Sequence, residues 1–354
     1  MTDIVLGLLT DISFLSAFFS TVLLIGVGCF FRKAGILKSE GKATINTLLM
    51  KLAIPCLAFD AFMTDFQAEG FISNIQVLLI SFLMYAVLIA VSQLIFHRYG
   101  RRRANIFGLF FAVGQVTLFA MPILKSIYAA DAHEAMLSCN MLTIAFRLVL
   151  YIYAYYSVSG IAVTRKNLGE SLRKIALNPI MITMFSGMFI WLLQDMLPQV
   201  STTAGAYAFL RLDKTLPALY PVVQTLAKMV NPLAMLLVGM TLGEAEIKTA
   251  LRDRTAWAIS MLRMLAAPLA VLLLLCLTQS IGWTAFGEQT AMTLVIGFGA
   301  PVSVMFSSFC IMFRVEDLMA SKVCLMSTLL CMVSLPLLYV LTKYAITLPF
   351  FAGA

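Results

Sequence analysis

The stretch that decides the fold is Ala112–Ser126, AVGQVTLFAMPILKS, where glycine, glutamine, threonine and proline interrupt an otherwise apolar run. A second such stretch, GFGAPVSVMFSS, occupies 297–308. Each lies inside a segment long enough to cross a bilayer, and each carries a proline, Pro122 or Pro301. Proline removes one backbone hydrogen bond and clashes with the carbonyl four residues earlier. Glycine further lowers the cost of local unwinding. In hydrocarbon, the freed polar groups need protein, water or a ligand as partner.

Two other prolines fall into step with this pair. LAIPCLAFDAF (52–62) is centred on Pro55 and MVNPLAMLLVGM (229–240) on Pro232, 177 residues apart, while Pro122 and Pro301 are 179 apart. Nearly equal offsets predict two homologous halves. Ten apolar spans are expected, near 12–31, 43–63, 73–96, 105–128, 133–158, 178–198, 220–243, 255–282, 289–312 and 319–342. Five spans per half make the second half enter the membrane in the opposite sense, an inverted repeat of the kind common in secondary transporters. The expected fold is therefore all-α and integral to the membrane, with broken crossover helices in the fourth and ninth spans. The halves are 1–158 and 178–354, joined by a basic cytoplasmic connection at 159–177, and Asn178-Pro179 opens the sixth span with proline in its favoured first turn.

Composition demands lipid as solvent. Of 354 residues, 61% are hydrophobic and 12% charged, against about 25% charged in a soluble chain; mean hydropathy is +0.96. The net charge of +8 is a topology signal, not a nucleic-acid surface. Sixteen of the 25 Lys and Arg fall in alternate connections, from Arg32 to Lys42, Arg98 to Arg103, Arg165 to Lys174, Lys248 to Arg254, and at Arg314. The opposite set holds only Arg211, Lys214 and Lys343. Basic residues mark the cytoplasmic side, so both termini are expected outside, in agreement with Asp3 and Asp11. The first span lacks the basic leader of a cleaved signal. Seven cysteines without CxxC spacing predict neither a disulfide framework nor a zinc site.

Two unwound segments crossing at the midplane would present helix N-termini, which attract anions. Gln115, Thr117, Ser303 and Ser307 are the side chains beside the breaks, with Pro122 and Pro301 as the breaking residues. The alternative is that both prolines merely kink packed helices. Arg147, mid-span in the fifth helix, bears a charge costing about 2.5–3.5 kcal/mol there. It either pairs with Asp60 or freed carbonyls, or receives a carboxylate, which guanidinium binds bidentately. Asn140 on the same helix is a further donor. Arg263 lies about 12 Å along the eighth span at ~1.5 Å per residue. Lys51 and Lys228 precede Pro55 and Pro232; Lys125 and Lys322 lie near span ends and can snorkel. Asp60 is the single acid inside a span and the candidate for ion coupling. Buried positive charge exceeds negative, which favours an anionic substrate.

Several stretches resemble the auxin efflux carrier family, whose bacterial members include malate and malonate permeases. FRKAGILKSEGKATINTLLMKLAIPCLAF (31–59) resembles its first-to-second helix segment. NPIMITMFSGM (178–188), NPLAMLLVGMTLG (231–243), RMLAAPLAVLLLL (263–275) and VEDLMASKVCLMSTLLCMVSLPLLYVL (315–341) resemble its sixth, seventh, eighth and last helices. The resemblance implies a secondary carrier of a small organic anion such as a mono- or dicarboxylate, in the cell (plasma or inner) membrane. It implies an elevator in which helices 3–5 and 8–10 move against a scaffold of helices 1, 2, 6 and 7, with H+ or Na+ as possible coupling ions and a homodimer as the assembly. At the crossovers the chain departs from the family: Gln115, Val116 and Thr117 stand where an Asn-Thr-Gly-like run is common, Ala120 replaces the glycine near Pro122, and Ala300 precedes Pro301.

An anion channel or uniporter of the same fold is the alternative, separated from a carrier by slow, saturable turnover. An enzyme is not expected. His97 and His133 lie at opposite membrane faces, and no nucleophile–base pair or metal-ligand motif is present. No cofactor and no nucleic-acid partner is implied; membrane lipid is the expected surroundings.

Overall fold

The computed structural model describes residues 12–63, 65–66, 68–160, 165–202, 205–244, 250–284 and 286–348. Asp3, Asp11 and Lys248, used above for topology, lie outside them. The chain runs α1 (Ile12–Lys33), α2 (39–60), α3 (Ala68–Ile95), α4 (Arg101–Ala112), α5 (Val116–Ile127), α6 (His133–Ser159) and α7 (Arg165–Ala176). It continues through α8 (Pro179–Leu193), α9 (Tyr220–Glu244), α10 (Arg254–Ser280), α11 (Glu288–Phe298), α12 (Val304–Met312) and α13 (Asp317–Ile346). Six of these helices, α2, α3, α6, α9, α10 and α13, are long and apolar enough to cross a membrane, and α5 and α8 are shorter apolar helices. On α3 a ridge of Leu79, Leu83, Val87 and Val91 faces outward, while Val77, Ile80, Met84 and Leu88 are buried. An exposed ridge this apolar suits lipid as its neighbour.

The one two-stranded sheet among the described residues is the 199–208 hairpin. Gln199–Thr202 pairs antiparallel with Gly205–Ala208, Val200 opposite Tyr207. Behind it Arg211, 1% exposed, donates to Asp213, Asp65 and Gln194. This guanidinium ties the loop to the end of α8 and to the segment after α2. Asn178 accepts from the Ile180 amide and caps α8 ahead of Pro179, as its sequence predicts.

The tightest helix pair is α1 with α9. Gly239 and Gly243, four residues apart, let the backbones touch: a Cβ on Gly239 would lie 2.9 Å from the Cys29 amide nitrogen and would overlap the Ile25 carbonyl. Gly28 faces back across the same contact, where a Cβ would meet the Leu236 backbone. In lipid, helices associate through such close packing more than through hydrophobicity. Arg32 and Glu244 close that end with an ion pair of 2.9 Å.

Prolines shape three helices in a common way. Ahead of Pro55, Pro122 and Pro268 the helix widens to a turn in which each amide reaches five residues back: Ile54 to Leu49, Met121 to Val116, and Ala267 to Leu262. The proline ring displaces the carbonyl it would strike, and the widened turn re-satisfies the backbone. Pro336 sits inside α13, which stays continuous. The sequence expectation that Pro122 marks the break in its span therefore needs correcting. The helix is interrupted at Val113–Gln115, between α4 and α5, and Pro122 lies inside α5. Pro301, by contrast, stands in the extended segment between α11 and α12. The two prolines thus hold different structural positions, despite their matching offset.

Candidate functional site

The interruptions of α4/α5 and α11/α12 meet. Gly114 and Val302 form an antiparallel bridge. The Gln115 amide donates to the Pro301 carbonyl at 2.7 Å, and the Ser303 amide to the Val113 carbonyl at 3.1 Å. Two short extended strands thus satisfy each other where both helices are unwound. Every residue from Val113 to Ala120 and from Gly299 to Ser303 is buried.

Four helix ends converge here, and they sort by charge. The C-termini of α4 and α11 carry partial negative charge. Arg263, fully buried on the widened turn of α10, answers both: Nη1 donates to the carbonyls of Phe111 (3.0 Å) and Ala112 (2.9 Å), and Nε to the carbonyl of Ala300 (3.0 Å). Nη2 lies against Gly114, where no side chain would fit. Gly114 has no positive φ; it is glycine because the guanidinium needs the space.

The N-termini of α5 and α12 carry the opposite sign. At α12 the positive end is met internally. Gln115 Oε1 accepts from the Val304 amide at 3.0 Å and Ser303 Oγ from the Phe306 amide at 3.4 Å. Ser327 of α13 adds an acceptor for the Val302 amide at 3.1 Å. Ser307 donates back to the Ser303 carbonyl at 3.2 Å. At α5 the first residues are Val116 and Thr117, and Thr117 is 4% exposed. The opening amides of a helix have no intrahelical acceptor.

The charged and amide residues of α6 pack beside this crossing. Asn140 Nδ2 donates to the Ala58 carbonyl near the end of α2 at 3.1 Å, and its Oδ1 is buried with no partner among the described residues. That carbonyl is available because the Phe62 amide turns instead to Phe59. Arg147 lies two turns further along α6, 2% exposed. Asp60 is 7% exposed and accepts from the Tyr220 hydroxyl at 2.6 Å, joining α2 to α9.

The lysines divide. Lys322 pairs with Asp253 at 2.8 Å, Lys125 is half-buried, and Lys51 and Lys228 are exposed. Among the described residues no group of three or more His, Cys, Asp or Glu is arranged to hold a metal ion, and all seven cysteines are free thiols.

The sequence-selected Gln115, Pro301, Ser303, Ser307 and Arg263 are thus brought into one crossing, with Thr117 at its edge and Asn140 and Arg147 on the neighbouring helix. Asp60 belongs to the α2–α9 contact, and Pro122 stands a turn and a half inside α5. Ser327 and Tyr220 were not foreseen, since a lone serine or tyrosine in an apolar helix gives no signal. Neither was the chain linking α6 to α11, in which Thr290 donates to Glu134 at 2.7 Å and shares a hydrogen bond with Ser138 at 3.0 Å.

Unwound, mutually paired segments inside two apolar passages are a device of transporters, and the comparison with known families agrees. The family described as membrane transport protein matches residues 13–339. The chain belongs to that family. The match spans every helix from α1 to α12 and most of α13, so the membrane transport protein family, which includes the auxin efflux carriers, accounts for the whole helical body. None of the curated proteins compared matches the chain significantly. As a member of the membrane transport protein family, the chain is a multi-pass membrane transporter.

Proposed function

We propose that the protein is a secondary carrier of a small organic anion, a mono- or dicarboxylate, with the α4/α5–α11/α12 crossing as its substrate site. The observation that carries this is the sorting of helix ends. The negative ends are neutralised by Arg263 and the positive end of α12 is capped by Gln115 and Ser303, which leaves the buried N-terminus of α5, with Thr117, as the place for a guest's negative charge. Arg147 and Asn140 on α6 are the side chains proposed to complete it, Arg147 as counter-charge to a carboxylate.

The same reading divides the ten-span, inverted-repeat chain into a scaffold and a moving body. The glycine contact of α1 with α9, together with α2 and α8, supplies a rigid scaffold. The crossing, with α3, α6, α10 and α13, supplies the body that carries the anion, in the manner of an elevator. The Asn140–Ala58 hydrogen bond joins the two bodies in the state described. The basic connections support termini outside the cell membrane, and the scaffold is the surface through which a homodimer would form. Asp60, bonded to Tyr220, is the acid available for proton coupling.

The test is uptake of labelled malonate and malate by proteoliposomes containing the purified full-length chain. Saturable uptake, reduced at least tenfold by Arg147→Ala in a variant that keeps its melting temperature, supports the reading. Uptake equal to that of protein-free vesicles across a panel of carboxylates would overturn it. Conductance that does not saturate would favour a channel.

A further inference from the structure

The helix α7 (Arg165–Ala176), which joins α6 to α8, has two unlike faces. Helical spacing sets Leu168, Leu172 and Ile175 on one side, and Lys166, Glu170, Arg173 and Lys174 on the other. With Arg165 the helix carries four basic residues against the single acid Glu170. Leu172 is 44% exposed, and Leu177, just past the helix, is 61% exposed. One exposed leucine means little. Leu177, however, stands two residues before α8, whose outward ridge of Ile182, Phe185 and Phe189 is equally apolar and exposed. A continuous apolar surface of this kind suits lipid.

The depth of α7 is set by its neighbours. The 27 residues of α6 exceed the roughly 20 that fill a bilayer core, so the helix emerges from it. Tyr151, Tyr153, Tyr155 and Tyr156 crowd its C-terminal end, and tyrosine gathers where hydrocarbon meets headgroups. Gly160, at φ 68°, ends α6 and turns the chain. From there α7 packs against Val149–Ala154, at the level of those tyrosines. The chain re-enters the apolar layer at Pro179, where α8 begins. Both ends of α7 are thereby held at the bilayer surface.

We infer that α7 is an in-plane anchor for anionic phospholipid, its apolar face turned to the acyl chains and its basic face to the headgroup phosphates of the cytoplasmic leaflet. A connection that is basic for topology alone needs no apolar face, and α7 has one. An acidic protein would answer the charges but not the leucines, whereas a bilayer surface answers both at the depth where the helix already lies. The inference does not depend on the carrier reading.

The experiment places the full-length protein in lipid nanodiscs, open on both faces, and follows cleavage after Glu170 by a glutamate-specific protease. A soluble peptide in the same sample reports protease activity. The discs are phosphatidylcholine alone or with about 30% phosphatidylglycerol, whose charge draws basic segments to the surface. Cleavage of the native protein should be about fivefold slower in the anionic discs. The difference should vanish at ~1 M salt, where charges are screened beyond about 3 Å. The combined variant Arg165→Gln, Lys166→Gln, Arg173→Gln, Lys174→Gln should be cleaved equally fast in both discs. Leu172→Ser with Leu177→Ser should lose part of the protection. Arg98→Gln, Arg101→Gln, Arg102→Gln, in a basic connection of exposed arginines, should keep all of it.

Equal cleavage of the native protein in both lipids, whether fast or absent, overturns the inference. So does protection that survives the loss of all four charges. Protection by soluble polyglutamate and not by phosphatidylglycerol also overturns it, and makes α7 a site for an acidic protein. Where the fourfold variant fails to fold, the lipid and salt comparisons on the native protein decide alone.

Discussion

Gly114 and Arg263 are held in mutual exclusion: a methyl group at Gly114 would fall where Nη2 of Arg263 sits, and 3.2 Å from the Ala300 carbonyl that the same guanidinium bonds. One residue of α10 is thereby locked to the junction of α4 with α5. The end of a long side chain can usually give way, but this one is pinned by three carbonyls and has no solvent to move into.

Gly114→Ala should consequently resemble a change at Arg263 itself. Displacing the guanidinium from its carbonyls forfeits charge-assisted hydrogen bonds of about 1.5–3 kcal/mol each. A melting temperature unchanged from the native protein would show that the guanidinium can relocate. Gly26, beside which a Cβ meets nothing, is the matched control: Gly26→Ala is expected to be neutral or slightly stabilising.

Gly239→Leu should part α1 from α9. A Cβ there would overlap the Ile25 carbonyl and meets backbone atoms of Cys29 and Gly28, none of which can rotate away. The loss should exceed the ~1–3 kcal/mol typical of overpacking. The measurement is melting in detergent, with Gly169→Ala, in open space on α7, as the control.

Gln115→Ala removes the acceptor that meets the Val304 amide and should destabilise the crossing by about 1 kcal/mol, the usual value of a helix cap. It also leaves the positive end of α12 with Ser303 as its one remaining side-chain acceptor among the described residues. If the α5 end holds the guest, apparent affinity for carboxylates should rise or become less selective while turnover slows. Unchanged affinity and rate, read from uptake against substrate concentration, would remove Gln115 from the site.

Asn140→Leu tests the link between α6 and α2. Its amide donates to the Ala58 carbonyl across the proposed boundary between moving body and scaffold. The expected outcome is a changed maximal uptake rate with the melting temperature lowered by no more than one buried hydrogen bond, about 0.5–1.5 kcal/mol.

Asp253 supplies a pH dependence. Its hydrogen bond from Lys322, against the opposing effect of burial and with further help from the Ala256 and Thr255 amides, holds the carboxyl below its ordinary value of 3.8. A depressed carboxyl contributes stability that is fully present above the unfolded value and is lost as pH falls through the lowered folded value. Melting of the native protein should therefore weaken below about pH 4, and Asp253→Asn should flatten part of that fall. Identical profiles would show that the pair contributes nothing measurable.

How much of this was legible beforehand follows from the kind of signal each feature leaves. The helices were, because a run of about 20 apolar residues has few other solutions in lipid. The expected span at 133–158 is the helix His133–Ser159, and that at 255–282 is Arg254–Ser280. The unwinding at 113–115 and 299–303 was visible as polar and glycine residues in apolar surroundings. Its register was not. Pro122 looked like the partner of Pro301, yet a widened turn absorbs it, and the bridge forms at Gly114 and Val302 instead.

Sequence by itself determined the solvent of this protein, its helices and the presence of two interruptions, since hydropathy and backbone valence are local properties. Tertiary structure decided what the interruptions are for. Arg263, Gly114 and Gln115 lie on three different segments, and only packing sets which carbonyl or amide each one meets. Charge sorting among helix ends is a long-range consequence of how the chain crosses itself, and no local pattern encodes it.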